Sequence, residues 1–193
     1  VFLITKEKNK MKQTIVKNVN AIPMGSGKFE ISIDGINWTD LGAMQNIVFT
    51  ETFDKVSLYS DNAGIIKEYI KNHHASLAGD LQELSLADLN TLRGGIDVYT
   101  SDPGVSETLK TGGLTIINAI QTRVTNTNER AEILRVLIKK ATNNKGIVIA
   151  FKSDDSDTSN VIPIEILGSN DVSKTPGEQL FEMYNEQGIG AVS

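Results

Sequence analysis

Apolar and polar residues alternate with a period of two along much of this chain. In "KFEISIDGINWTDLGAM", Lys28 to Met44, the apolar Phe29, Ile31 and Ile33 interleave with Lys28, Glu30 and Ser32. Asp34-Gly35 then supplies turn residues, and Ile36 and Trp38 resume the pattern. A two-residue Asp-Gly loop favours a type I′ turn, because both central residues need positive φ. That register predicts Ile33 opposite Ile36 and Ile31 opposite Trp38 on one apolar face. Ser32–Asn37 and Glu30–Thr39 then share the wet face of a half-buried antiparallel hairpin.

Ile47, Phe49 and Phe53 continue the two-residue period, with Glu51 interrupting their face. Val56 and Leu58 carry the opposite parity, so a bulge or bend is expected at Asp54-Lys55. "SDNAG", Ser60 to Gly64, reads as a loop. The stretch "IIKEYIKNHHASLAGDLQEL" fits two templates. Ala75, Leu77, Gly79 and Leu81 alternate like a strand, whereas Leu77, Leu81 and Leu84 fit helical spacing.

One helix, over 86–93, is well marked in "LSLADLNTLRGG". Ser85 suits the N-cap, Asp88 stands at the third helical position, and Leu84 and Leu89 can form the hydrophobic staple. Leu86, Leu89 and Leu92 make its buried stripe, and Gly94 closes it. A short strand is expected from Ile96 to Tyr99, ended by "TSDPG", and another where Leu114, Ile116, Ile120 and Val124 alternate. For "EILRVLIKKA", Leu134, Leu137, Ile138 and Ala141 suit a helix, while Leu134, Val136 and Ile138 suit a strand. Further strands are expected at Ile147, Ile149 and Phe151, at Ile162, Ile164 and Ile166, and from Gln179 to Tyr184. The expected fold is mainly β: two packed antiparallel sheets, a sandwich or partial barrel, with one short flanking helix. Its predicted core includes Ile31, Ile33, Ile36, Trp38, Leu86, Leu89 and Leu92.

Composition narrows the function. A chain of 193 residues with 39% hydrophobic and 22% charged content matches one globular domain over 1–193. Residues 1–20 are read as an N-terminal arm, with 1–10, before Met11, either flexible or an upstream extension. The absence of Cys excludes disulfides and thiolate metal sites. A net charge of −5 and no basic run longer than "IKK" argue against a grip on phosphate backbones. No apolar run is long enough to span a membrane. "VFLI" lacks the basic region of a signal peptide, and folding in the cytoplasm is expected.

Searches for chemistry mostly fail. "GSGK" at Gly25 to Lys28 lacks the phosphate loop's earlier glycine, with Ile22 there, and its following Ser or Thr, with Phe29 there. His73 and His74 are adjacent, so on a strand they point apart and do not share a metal. "SDDSDTSN", Ser153 to Asn160, lacks the glycine and final glutamate of a calcium loop. No G-x-S-x-G nucleophile motif occurs. "NWT" at Asn37 matches a glycosylation sequon without a secretion signal. Trp38 could stack a sugar, and Glu51 with Asp54 could serve as paired carboxylates, though a core position and surface charge are the plainer readings. No catalytic residue, metal site or cofactor is assigned.

The order of features carries a resemblance. "GKFEISIDGINWTDLGAMQNIVFTETFDKVSLYSDNAG" sets a hairpin, "DLG", a long strand pair and a "DN-G" loop in sequence. "LQELSLADLNTLRGG" then runs a Leu-rich strand into a short helix, and "PIEILGSNDVSKTPGEQLFEMY" places an Asp-Val-Ser turn between two strands. Over about residues 20–187 this resembles the major tail protein, or tail tube protein, of tailed bacteriophages, above all those with long non-contractile tails. The match is one of order and spacing, without an invariant motif.

The resemblance implies two packed antiparallel sheets and reads "EILRVLIKK" as a strand. It implies a structural role without catalysis: hexameric rings whose inner sheets join into one barrel, stacked into a tube through which DNA leaves the capsid. Implied partners are further copies, the terminator, tape measure and tail-tip proteins, and DNA as non-specific cargo; no membrane is involved. The implied location is the virion, after folding in the host cytoplasm. Glu51 and Asp54 are candidate lumen-facing residues. The 54–72 segment is the candidate inter-ring loop, with Asp54, Lys55, Tyr59, Asp61, Asn62, Lys67 and Tyr69. Two alternatives remain: a carbohydrate- or receptor-binding sandwich using Trp38, and the tube of a contractile or phage-like injection particle.

Overall fold

The computed structural model describes residues 27–83, 85–113, 117–127, 133–149 and 161–186. Ten strands and one helix follow in order. They are β1 (Lys28–Ser32), β2 (Thr39–Asp40), β3 (Met44–Ser60), β4 (Gly64–Leu81), α1 (Leu86–Leu92) and β5 (Val98–Asp102). Then come β6 (Ser106–Lys110), β7 (Ile120–Thr127), β8 (Ile133–Asn143), β9 (Ile162–Gly168) and β10 (Phe181–Glu186).

The fold is mainly β, built from two antiparallel sheets of unequal size. Eight strands form one sheet in the order β2-β1-β7-β8-β9-β4-β3, with β10 also paired to β8, while β5 and β6 form a separate ribbon. Among the described residues the large sheet does not close into a barrel. It forks instead at β8. Ile133 to Ile138 of β8 pair with β10, and Ala141 to Asn143 pair with β9. Gly168 sits at the fork, opposite both Ala75 and Ala141. A Cβ added there would lie 2.7 Å from Ile138 Cγ2 and 3.1 Å from the Ala75 carbonyl oxygen, so only glycine lets the three strands approach.

The period-two pattern explains which faces are buried. Ala75, Leu77 and Leu81 of β4 and Ile162, Ile164 and Ile166 of β9 share the core with Phe29, Ile31, Ile120 and Ile138. Helix α1 adds Leu89 and Leu92, with Leu86 packed partly against them, and lies over β1 and the β5–β6 ribbon. Ser85 caps it as expected, its hydroxyl accepting from the Asp88 N–H at 3.2 Å. Gly94, at φ 81°, ends it, its N–H donating to the Thr91 carbonyl. The strand readings of β4 and of "ILRVLIKK", from Ile133, prevail over their helical alternatives.

The first hairpin departs from its expected register. Only Gly35 of the Asp-Gly pair takes positive φ, 75°, so no type I′ turn forms. The Asp34 carboxylate instead accepts from the N–H groups of Ile36 and Asn37, each at 2.8 Å, and widens the connection. Ile31 therefore faces Thr39, not Trp38. A one-residue slip moves every later side chain to the other face. Trp38 lands half-buried on the polar side, and Ile33 and Ile36 stand 50% and 80% exposed in the connection. Of the expected hairpin core only Ile31 is fully buried.

Other boundaries move as well. The strand expected at Ile96–Tyr99 is β5, two residues later, and it turns at Pro103-Gly104 into β6, which the pattern did not predict. Ile147 and Ile149 belong to no strand, although Ile147 packs against the core. The last strand begins at Phe181 instead of Gln179. Leu84, Leu114, Ile116, Phe151, the "SDDSDTSN" segment and residues 1–26 lie outside the described residues.

Candidate assembly surface

The longest strands carry the most unusual surface. β3 and β4 pair from Met44↔Leu81 to Ser60↔Gly64, closed by a turn at 61–63. Their lower halves bury one face against the core. Beyond Thr52 and His74 only His73, against Phe181, still touches the body; past it the ladder is exposed on both faces, apart from partial shielding at Ser57 and Ser60. The seven residues Asp54–Ser60 reach about 23 Å at the usual strand rise. The 54–72 segment expected as a loop is thus a paired β arm.

Two bulges set how the arm leaves the body. At Gln45/Val48 the extra residue lies on β3, where Asn46 has φ 55°; at Thr52/Asp54 it lies on β4, where Asn72 has φ 51°. Asparagine tolerates this left-handed backbone better than most residues. Each side-chain amide also donates to a carboxylate on the opposite strand, Asn46 to Asp80 at 2.8 Å and Asn72 to Asp54 at 2.7 Å. The irregularity expected at Asp54-Lys55 is therefore present, but its extra residue is on the partner strand. β3 keeps its alternation, and Val56 and Leu58 point to the face opposite Phe53.

The arm has two unlike faces. One pairs Val56 with Tyr69 and Leu58 with Lys67, whose ammonium lies 5.0 Å from the Tyr69 ring centroid. The other joins Lys55 to Glu68 at 2.6 Å, with the Ser57 hydroxyl donating to Glu68 and Ile70 beside them. Near the tip, Tyr59, Ile65 and Ile66 are exposed. An isolated two-stranded ribbon is marginal in water, and so many bare apolar residues on one gain stability by being covered.

At the root an aromatic chain ties arm to body. Phe53 meets the His73 ring edge-on at 6.0 Å, His73 meets Phe181 of β10 at 6.2 Å, and Phe181 meets Phe49 at 5.2 Å. His73 Nε2 also lies 2.7 Å from Glu51 Oε1. Glu51 and Asp54, the two candidate lumen-facing residues, leave β3 on opposite faces, so they do not form one acidic pair. Lys55, Tyr59, Asp61, Asn62, Lys67 and Tyr69 all lie on the arm, exposed.

Unpaired backbone edges are extensive. The outer edge of β3, the arm half of β4 and the outer edge of β10 have no ladder partner among the described strands. Such edges are templates for another chain.

Sequence reasoning missed one polar cluster. Glu30 of β1 is buried and accepts from Arg123 Nε at 2.7 Å and from Lys28 Nζ at 2.9 Å. The Arg123 bond, opposed by burial and aided by Lys28, holds this carboxyl below the usual range. The Arg123 guanidinium also lies 4.0 Å from the Trp38 ring centroid, so one face of the proposed sugar platform is already covered. The signal was the Glu30/Arg123 cross-strand pair, invisible until β1 and β7 are known to be neighbours. Lys28, from the "GSGK" motif, is spent on Glu30 and Asp40. Asp34 is held well below the usual carboxylate range by the Asn37 and Ile36 N–H groups. Among the described residues no cluster of His, Asp and Glu could hold a metal, and no helix is long and apolar enough to cross a membrane.

No protein-family model matches the chain, and no curated protein matches it in sequence. Two solved structures align with it over most of its length. A chain of the anti-feeding prophage cap, the AFP tube terminating cap, aligns with a TM-score of 0.52 at 9% identity, over 90% of this chain and 99% of that one. A chain of the anti-feeding prophage baseplate aligns at a TM-score of 0.44 and 12% identity, over 88% and 99%, too low a score to establish a common fold. The cap likeness establishes a shared fold.

Proposed function

We propose that this chain is a structural subunit of a phage tail or phage-tail-like particle, working as a polymer without catalytic turnover. Copies join edge to edge into rings, six to a ring, and rings stack into a hollow tube that conducts DNA. One observation carries the reading: the β3–β4 arm extends past the body with apolar residues on both faces. Covering it needs another surface, and the open edges of β3 and β10 offer the backbone pairing to build one. The shared fold with a tube-terminating cap supports a tail role. A net charge of −5 suits a conduit that must not hold phosphate.

That likeness also favours a second reading, a terminator that forms one ring and closes a tube end. Negative-stain microscopy with light scattering over a concentration series separates the two. Stacked tubes are expected for the tube subunit, and single rings at every concentration for the terminator. Monomers throughout, even with tail completion proteins added, would sink both. In the particle, the terminator, tape measure and tail-tip proteins are the natural neighbours.

A further inference from the structure

We infer that the tip of one copy's arm seats in a small pocket at the opposite end of the strands of a second copy. This rests on the assembly reading above and adds its acceptor. The ladder registers fix the polarity. β4 runs from the arm tip to Leu81, which faces Ile162 of β9. Asn143 of β8 faces Ile166 of β9, Ala141 faces Ile120 of β7, and Gln121 faces Ser32 of β1. All these strand ends gather away from the arm, and α1 follows β4 there.

At that end lies a pocket of about 240 Å³ walled by Ile96 and Ile117, with Arg93, Asn143 and Lys145 around it. Ile117 is 57% exposed. The exposed Ile33 lies close by, reaching Gly95, where an added Cβ would lie 2.9 Å from its Cδ1. Small-molecule sites usually enclose about 300–1,000 Å³, so this hollow suits one or two side chains better than a free ligand.

The arm tip supplies what the pocket lacks. Tyr59, Ile65 and Ile66 are exposed apolar knobs, and Asp61 is the one charged residue between Tyr59 and Ile66. Lys145 contacts Glu165 at 3.0 Å, yet its side chain stays 59% exposed with N–H donors to spare for a carboxylate. Arg93 is turned inward to Asp97 at 2.5 Å and donates to Thr111. Lys145 is therefore the cation that meets Asp61. Because donor and acceptor lie at opposite ends, the contact is head-to-tail and repeats from copy to copy, as a stacked tube requires.

The chain has no Cys, so engineered cysteines report without background. In Asp61→Cys/Lys145→Cys protein, oxidation is expected to give a ladder of trimers and higher species on a non-reducing gel, erased by reductant. An equal mixture of the two single variants should stop at dimers. If scattering shows assembly but the ladder is no stronger than for an Asp61→Cys/Lys174→Cys control, the acceptor is wrong and the tube reading survives. If unmodified protein never assembles, both fall. Ile117→Glu, at an exposed position, should keep the circular dichroism spectrum and raise the assembly threshold about tenfold; an unchanged threshold overturns the pocket.

Discussion

The two halves of the β3–β4 ladder are the same pair of strands in different surroundings. Below Thr52 and His74, Phe49, Ala75 and Leu77 face the core, and β9 satisfies the far edge of β4. Above it, Val56, Leu58, Tyr69 and Ile70 are as apolar but face water in a lone chain. The backbone pairing is the same kind throughout. The difference lies in what packs on the sheet: the lower half is stabilised within the chain, the upper half by whatever covers it in the assembly.

Substitutions can break that contrast. The largest effect is expected from Leu77→Ala in the lower half. It is 1% exposed, and the lost burial plus the cavity should cost about 2–5 kcal/mol in urea unfolding. Glu30→Gln tests the body's polar side and should cost about 1–2 kcal/mol, as charge-assisted bonds from Arg123 and Lys28 are weakened. Since the folded state lowers the Glu30 pKa from 4.5, its contribution is present above that value and fades as pH falls through the lower folded value. Unfolding free energy measured from pH 7 to 2 should therefore show a shallower acid decline in the variant. The smallest effect on the lone chain belongs to the arm: Leu58→Ser should shift urea unfolding by less than about 0.5 kcal/mol. The same change should raise the assembly threshold about tenfold in light scattering. Equal effects of Leu77→Ala and Leu58→Ser on monomer stability would erase the distinction between the halves.

Local signals foretold the elements whose causes are local. Ser85, Asp88 and the leucines of α1 declare a helix because cap and stripe lie within ten residues. Ile162, Ile164 and Ile166 declare β9 by parity, and "SDNAG" declares the turn at the arm tip. The first hairpin failed because one carboxylate, Asp34, gathered two N–H groups and beat the two-residue turn, displacing the register by one. β6 was missed because "SETLK" has a single apolar side chain and gains its place only by pairing with β5. Helix or strand for "EILRVLIKKA" stayed undecided by periodicity, since three neighbouring strands, β7, β9 and β10, determine it.

By itself the sequence determined that this is a β protein with one capped helix and no cysteine chemistry. Periodicity encodes which side chains share a face, because alternation is a property of the extended backbone. It does not encode what lies against that face. Only the tertiary structure decided that Trp38 turns to Arg123, that β8 divides its edge between β9 and β10, and that the strand pair outruns its own core. Those outcomes depend on contacts between residues far apart in the chain, where packing and hydrogen bonding override local pattern.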